Sequence, residues 1–405
     1  MTNQTQFARL LSSPFHEDLL CRSYANLVSR VQTNGYFPES LTGHYSGMFP
    51  RTIGALARLF LATGHAELIE PMLRYCFRAM AQFEMERVPH FIGEESPSGD
   101  ITTVDDVDQI DGQAHVILSW ALLALARGRS AFQDETYGLV ATLMDRSSTS
   151  PYLSFCTYWR IEPGLVLNTH LEHSREEQYW HAYDFLSQSF IAAALENMRD
   201  WAIQVRDKKR AERWNSRLQA LQNNIANSMT RNFDGKRIYV EMLLPTGRTP
   251  AVFPGISWLN LSPVAASWRG VDEILLSQTI DVWHKESEIR WHDLSVTASD
   301  WLPVQSGKDI YTKVLGWDLV YCVKHEEWTR ALDILSFLEQ VNGKGLPSEA
   351  FVYDTSRDTW SIRDRGNGEQ VAWLCWGLVE CRKSIGLSAL PENGFLSLSE
   401  KGTSL

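Results

Sequence analysis

The sequence predicts an all-α protein built as a single (α/α)6 barrel of six helical hairpins, with short β pieces in its loops. Apolar residues recur with helical spacing along most of the 405 residues. Segments that are apolar on every side alternate with amphipathic segments, and short turn signals separate the members of a pair. This alternation is expected when an inner ring of helices is enclosed by an outer ring.

Helical periodicity marks eleven segments. Residues 112–127 are apolar almost all round, which predicts a buried helix, whereas residues 207–229 carry lysines and arginines that face water. Gly64 and Gly128 begin the short turns between paired helices. The predicted helices are 17–33, 52–63, 66–86, 112–127, 130–145, 180–206, 208–230, 270–285, 310–324, 326–341 and 369–385.

The remaining pattern favours one domain. Strand-like pieces at 237–244 and 350–354 are expected to decorate loops. A helical solenoid should show a sequence period, and none is visible. We therefore expect a catalytic barrel domain over residues 1–391, followed by a weakly ordered tail over residues 392–405.

Composition excludes several classes of function. The net charge of −11 disfavours nucleic acids and anionic membranes as partners, because both are polyanions. No run of eighteen apolar residues predicts a transmembrane helix, and the first residues lack the features of a secretory signal. Six scattered cysteines indicate reduced core residues of a cytoplasmic protein. Without CxxC or HExxH spacing, we expect neither a metal site nor a cofactor. The oligomeric state stays open.

A carboxylate near the C-terminus is the first candidate catalytic group. Glu349 follows Pro347 and Ser348 on a predicted short turn, ahead of a final helix that contains Trp373. The turn 366–368 opens that helix. A carboxylate at the mouth of a helical pocket, with an indole face nearby for a sugar ring, suits glycoside chemistry. The fifteen tryptophans are explained equally well by sugar stacking or by a large aromatic core.

A second acidic segment lies upstream. Glu172, Glu176 and Glu177 precede Trp180 at the start of a predicted aromatic helix. A carboxyl group beside aromatic rings and other carboxylates has a raised pKa, as a general acid requires. The alternative is an acidic helix start that complements the helix dipole. Glycoside hydrolysis needs two such carboxyl groups, one protonated and one ionised.

Two further polar segments precede apolar helices. Arg51 follows an aromatic loop, where its planar fork suits either a pair of hydroxyl groups or a surface ion pair. Asp105, Asp106, Asp108 and Asp111 precede the buried helix 112–127, where they suit helix capping or sugar hydroxyls. Asp-rich motifs also occur in Mg²⁺-dependent terpenoid enzymes, but neither DDxxD nor DxDD spacing is present.

The order of these segments resembles the six-hairpin glycosidase superfamily, the (α/α)6-barrel enzymes that include glucoamylases, trehalases and processing α-glucosidases. The matching segments are 49–52, 108–112, 172–177 and 346–349, with Thr52 standing where the glucoamylase pattern has Asp. The resemblance implies an inverting, exo-acting hydrolase of α-linked glycosides or oligosaccharides, with Glu176 as general acid and Glu349 as general base. The substrate-binding residues that we predict are Arg51, Gln109, Asp111, Glu172, Glu177, Trp180 and Trp373.

Other functions on the same barrel stay open. A sugar epimerase or isomerase would use paired histidines, and His173, His181, His284 and His292 are available. An unsaturated-uronyl hydrolase and a phosphorylase are further enzyme alternatives, although a phosphorylase would replace the base with a phosphate pocket. A non-catalytic carbohydrate-binding protein is the alternative from another class.

Overall fold

Helices make up most of the structure, a computed structural model that describes residues 2–43, 45–105, 107, 109–149, 164–169, 181–244, 251–253, 255–300 and 308–392. Within these residues there are thirteen α-helices and twelve short strands. The helices are α1 (Asn3–Leu11), α2 (Pro14–Arg30), α3 (Pro50–Thr63), α4 (Ile69–Gln82), α5 (Ile110–Arg127), α6 (Ala131–Thr149), α7 (Phe185–Gln204), α8 (Lys208–Ser228), α9 (Ser262–Ala266), α10 (Glu273–Glu286), α11 (Thr312–Lys324), α12 (Trp328–Phe337) and α13 (Gly368–Ser384).

The strands form five small antiparallel sheets within the described residues. The largest two have three strands each, in the orders β10-β11-β12 and β3-β6-β7. The strands are β1 (Phe91–Ile92), β2 (Val104–Asp105), β3 (Tyr183–Asp184), β4 (Thr230–Phe233), β5 (Lys236–Tyr239), β6 (Met242–Leu244), β7 (Ala251–Val252), β8 (Glu288–Trp291), β9 (Leu294–Thr297), β10 (Lys308–Tyr311), β11 (Ser348–Asp354) and β12 (Thr359–Arg365).

Six helices close into an inner ring. Helices α3, α5, α7, α9, α11 and α13 each contact the next, and α13 returns to contact α3. Helices α2, α4, α6, α8, α10 and α12 pack outside, each against an inner helix or the turn that leads into one, and α1 covers α12. The predicted single (α/α)6 barrel is therefore confirmed. None of the described helices is long and apolar enough to cross a membrane.

The burial of each helix follows its sequence pattern. Helix α5 buries fourteen of its 18 residues, as expected for a helix that is apolar on every side. Helix α8 has 21 residues and buries only Ala211, Trp214, Leu218, Leu221 and Ile225. These five recur every three or four residues and form one stripe, which faces α7. The predicted alternation of inner and outer helices is thus correct.

Some elements differ from the sequence prediction. Helices α1 and α9 were not predicted; α9 has five residues and follows a 3₁₀ turn, Trp258–Leu261, so it is too short for a periodic signal. The predicted strand piece 237–244 divides between β5 and β6, which belong to different sheets. Glu349 lies on strand β11 and not on a turn. The boundary at residue 391 stays a prediction, because residues 393–405 lie outside the described residues.

Two glycines allow the closest approach in the inner ring. A Cβ atom added at Gly377 on α13 would lie 2.4 Å from the Gly316 carbonyl oxygen on α11. A Cβ added at Gly316 would lie 2.4 Å from the Trp373 carbonyl oxygen. Both contacts involve backbone, which cannot rotate away as a side chain can. The spacing of these two helices therefore depends on the absence of both side chains.

We predict that Gly377→Ala lowers the free energy of unfolding by about 1–3 kcal/mol, because the new methyl group forces α11 and α13 apart. Urea unfolding measures this change. The matched control is Gly138→Ala on the exposed side of α6, where an added Cβ meets nothing within 4 Å. There the substitution should stabilise the helix by roughly 0.5–1 kcal/mol. Equal effects of the two substitutions would contradict the packing argument.

Candidate active site

Polar contacts join the first turns of the six inner helices into a ring, which shows that these helices all begin at the same end of the barrel. From α3 to α5 the link is Arg51 to Asp111, and from α5 to α7 it runs through Asn168. The Ser262 hydroxyl joins α9 to Ser189 on α7 at 2.9 Å. Lys313 on α11 contacts Trp258, in the 3₁₀ turn that leads into α9, and Glu369 on α13. Glu39 then joins Glu369 to Thr52 on α3.

The first part of the ring contains three predicted binding residues. Arg51 Nε donates to Asp111 Oδ2 at 2.5 Å, and Asp111 Oδ1 accepts from Asn168 Nδ2 at 3.0 Å. With its amide oriented to satisfy both partners, Gln109 accepts from Arg51 Nη2 at 2.9 Å and from Nη1 at 3.2 Å. The Asp111 side chain is 0% exposed and that of Arg51 is 13% exposed. Arg51 is therefore held in a buried ion pair, whose geometry is fixed because each charge is hydrogen-bonded.

Asp184 is a buried carboxyl group that the sequence analysis did not single out. It is the N-cap of α7: Oδ1 accepts from Ser187 N at 2.7 Å, and Oδ2 accepts from the Ser187 hydroxyl at 2.8 Å. Burial, with the nearby Asp111 charge, raises the pKa of Asp184 to about 6. The available sequence signal was an Asp immediately before an apolar helical run.

Glu349 lies beside this ring on β11. Its neighbour Ala350 pairs with Tyr311, the residue immediately before α11. Glu349 Oε1 accepts from the Tyr45 hydroxyl at 3.3 Å and lies 3.7 Å from Arg363 Nη2. The other oxygen, Oε2, is buried and has no hydrogen-bond partner among the described residues. Such an oxygen is costly in a folded protein and is a candidate for contact with a substrate or a bound water.

Lys313 and Glu369 form a second buried ion pair that the sequence analysis missed. Lys313 Nζ lies 3.2 Å from Glu369 Oε1 and 4.6 Å from the centroid of the Trp258 ring, and the Lys313 side chain is 2% exposed. A lysine in the first turn of a largely apolar inner helix was the signal available in the sequence, because lysine is almost never fully buried unless paired.

Glu39 couples this pair to α3. One of its oxygens accepts from the Glu369 backbone N–H at 2.8 Å, and the other accepts from the Thr52 hydroxyl. Burial raises the pKa of the Glu39 carboxyl above its usual range. Thr52 stands where the glucoamylase pattern has Asp. Its hydroxyl group donates to the buried carboxyl group of Glu39, which lies in a neighbouring loop.

Trp373 is a core side chain in this structure. Its indole is 0% exposed and packs against Trp317, Trp376 and His115, at ring-centroid distances of 5.2, 5.4 and 6.2 Å. Its predicted role as a stacking surface for a sugar is untested, and full burial disfavours it. Seven tryptophans belong to the largest fully buried side chains, so the aromatic core accounts for much of the high tryptophan content.

Several predicted residues lie outside the described residues. They are Asp106, Asp108, Glu172, His173, Glu176, Glu177 and Trp180. Asp105 is described: it lies on β2 and contacts His90 Nδ1 at 3.3 Å. The structure therefore brings together Arg51, Gln109 and Asp111, and it places Glu349 near the start of α11.

The raised pKa of Asp184 predicts a pH-dependent stability. Its carboxyl group has a pKa of about 6 in the folded chain and of about 3.8, the ordinary aspartate value, when unfolded. The folded chain therefore binds more protons between these values, and stability falls as pH rises through this window. The Asp184→Asn variant cannot titrate at this position. Its free energy of unfolding should therefore rise relative to that of the native chain by about 2 kcal/mol as the pH is raised from 4 to 7.

Urea unfolding of both chains at several pH values measures that difference. The matched control is Asp272→Asn, at the exposed N-cap of α10, where Asn caps a helix as well as Asp does. A difference between Asp184→Asn and the native chain that stays constant with pH would contradict the raised pKa.

Structural comparison places this fold among known proteins. No protein-family model and no curated protein matches the sequence. A bacterial glucoamylase complexed with acarbose superposes with a TM-score of 0.58 at 14% identity, over 87% of this chain but only 51% of that protein. A wild-type glycosidase matches with a TM-score of 0.61 at 15% identity, over 96% and 99% of the two chains.

A third match is the GH63 mannosylglycerate hydrolase from Thermus thermophilus in complex with Tris. Its TM-score is 0.61 at 10% identity, and the alignment covers 88% of this chain and 99% of that protein. The matched helices extend over most of this chain, as the order of its sequence segments predicts. The chain therefore shares the (α/α)6-barrel fold of these solved structures.

Proposed function

We propose that the protein is a glycoside hydrolase, inverting and exo-acting on an α-linked substrate, with Glu349 as general base and Glu176 as general acid. The observation that carries this proposal is the Glu349 carboxylate, which has one buried oxygen without a partner among the described residues. It stands beside the end of the barrel where all six inner helices begin.

The contacts of Glu349 suit a general base. Tyr45 and Arg363 both contact Oε1, which orients the carboxylate and leaves Oε2 to accept a proton from water. That water attacks the anomeric carbon, while Glu176 protonates the glycosidic oxygen of the leaving group. In an inverting enzyme the two carboxyl groups stand about 6.5–9.5 Å apart, which leaves room for the water.

The ring of polar contacts supplies a binding surface for the terminal sugar. Gln109 and Asp111 are buried and hold Arg51 by hydrogen bonds, so the partly exposed Arg51 guanidinium is pre-organised to donate to hydroxyl groups. Glu172, Glu177 and Trp180 complete the proposed substrate contacts, whereas the fully buried Trp373 supports the pocket from within the core. Because the inner helices close into a ring, substrate enters from one end, which favours removal of a terminal sugar.

The structural neighbours support a carbohydrate substrate. The glucoamylase structure contains acarbose, and the mannosylglycerate hydrolase is also known in complex with glucose.

Among the described residues, all five cysteines are free thiols, in accordance with a cytoplasmic location.

Three of the four histidines considered for an epimerase are described, and their positions do not support that function. His284 is buried against Asp318, between outer helix α10 and inner helix α11. His292 lies in the turn between β8 and β9, and His181 is exposed. None of these three joins the ring of contacts at the start of the inner helices.

We predict that Glu349→Gln lowers turnover by a factor of roughly 10² to 10⁴ with little change in KM, because the amide keeps the shape and loses the basicity. A panel of aryl and natural α-glycosides identifies the substrate, and proton NMR reads the configuration of the sugar first released, which should be inverted. Glu212→Gln, on the exposed face of α8, is the control. Native activity in pure Glu349→Gln protein would contradict the assignment.

The acid is tested in the same panel. Glu176→Gln should reduce hydrolysis of natural glycosides far more than hydrolysis of aryl glycosides with good leaving groups, which need little protonation. Glu172→Gln and Glu177→Gln should affect both substrate types alike. If Glu172→Gln gives the leaving-group dependence instead, Glu172 is the acid.

A further inference from the structure

Three side chains with metal-binding atoms meet in the wall of the barrel, apart from the proposed active site. His284 lies on outer helix α10, and Asp318 and Cys322 lie four residues apart on α11, so they share one face of that helix. One ligand atom from each lies within 4.8 Å of the others, and all three residues are buried. Cys322 is nine residues beyond Lys313, about 14 Å along the helix axis.

The contacts within this cluster are short. His284 Nε2 lies 2.8 Å from Asp318 Oδ1, and the Cys322 sulfur lies 3.5 Å from the same oxygen. A buried histidine and aspartate would satisfy each other as a simple pair. The thiol aimed at the same carboxylate oxygen adds a third kind of ligand, and within the described part of the chain this is the only such grouping.

A fourth residue, Glu327, lies near the second ring nitrogen of His284. Glu327 Oε2 lies 3.7 Å from His284 Nδ1, the ring nitrogen that faces away from Asp318. Histidines that bind metals usually hold their second nitrogen against a carboxylate or a carbonyl group, which orients the ring. Arg330 Nε lies 3.7 Å from the same Glu327 oxygen and holds that carboxylate in turn.

A surface pocket lies next to this cluster. Glu327 lines a surface pocket of about 400 Å³ together with Glu326, Arg330 and Asp333. Three carboxylates against one guanidinium make the pocket attractive to cations. Glu327 therefore lies between this pocket and the buried His284.

We propose that His284 Nε2, Asp318 and Cys322 bind one Zn²⁺ ion, with Glu327 as the carboxylate behind the imidazole. Nitrogen, oxygen and thiolate ligands are the set that zinc prefers, and calcium and magnesium take oxygen ligands alone. Tetrahedral zinc holds such atoms about 3.3–3.7 Å apart. The Cys322–Asp318 distance of 3.5 Å already falls in this range, and the His284–Asp318 contact of 2.8 Å must open by about 0.5 Å to enter it.

The ion would join α10 to α11 near the start of α12. Its ligands come from two helices, and His284 and Asp318 are separated by 34 residues in the chain. They therefore form no short sequence motif, and a search for CxxC or HExxH spacing does not detect them. The fourth position would be open to water from the pocket, and the ion would stabilise the barrel wall without contacting the substrate.

Cobalt substitution tests the proposal on the native chain. Metal-free protein receives one equivalent of Co²⁺, and the absorption spectrum is recorded before and after Zn²⁺ is added. The expected result is the visible bands of four-coordinate cobalt together with a near-ultraviolet charge-transfer band that requires a thiolate ligand, both abolished by Zn²⁺. Absence of the charge-transfer band would overturn the proposal and leave His284 and Asp318 as a hydrogen-bonded pair.

Two serine variants identify the thiol. Cys322→Ser should lose the charge-transfer band and weaken Zn²⁺ binding about 10-fold or more, because a thiolate ligand is removed. Cys381→Ser, at another buried cysteine on α13, should retain both the band and the affinity. The reverse result, or an unchanged band in both variants, would overturn the assignment. Since the cobalt spectrum of the native chain is decisive, a folding defect in either variant leaves the test intact.

Discussion

The ring of polar contacts at the start of the six inner helices is the constraint on which the rest of this structure depends. Each helix start presents unpaired backbone N–H groups and a positive dipole end, which favour acidic side chains there. Asp111, Asp184 and Glu369 occupy these positions, and Arg51 and Lys313 pair with two of them. One set of contacts thus closes the barrel and concentrates hydrogen-bonding groups at one end, where Glu349 stands beside them.

The fold was largely predictable because it depends on burial. A helix enclosed on all sides must be apolar on all sides, as α5 is, and an outer helix needs one apolar stripe, as α8 has. Short elements lack that signal. Helix α9 and the strands of two to four residues contain too few residues to show a period. The close approach at Gly316 and Gly377 also depends on tertiary contacts.

Part of the predicted site forms one cluster of contacts. Arg51, Gln109 and Asp111 come together because each stands at or beside the start of an inner helix, and their role in binding substrate stays a prediction. Lys313 and Glu39 were missed, since their roles depend on contacts with Glu369, which lies 56 and 330 residues away from them in the chain. The position of Trp373 inside the core shows that an aromatic side chain near a predicted site is not by itself a binding surface.

A crystal structure with a bound iminosugar inhibitor, a mimic of the charged transition state of glycoside hydrolysis, tests the central claim most directly. The account predicts that the inhibitor binds at the end where the inner helices begin, with polar contacts to the Arg51–Asp111 cluster. Glu349 should lie within one water molecule of the position of the anomeric carbon. Binding elsewhere on the barrel, or a Glu349 carboxylate turned away from the inhibitor, would contradict the account.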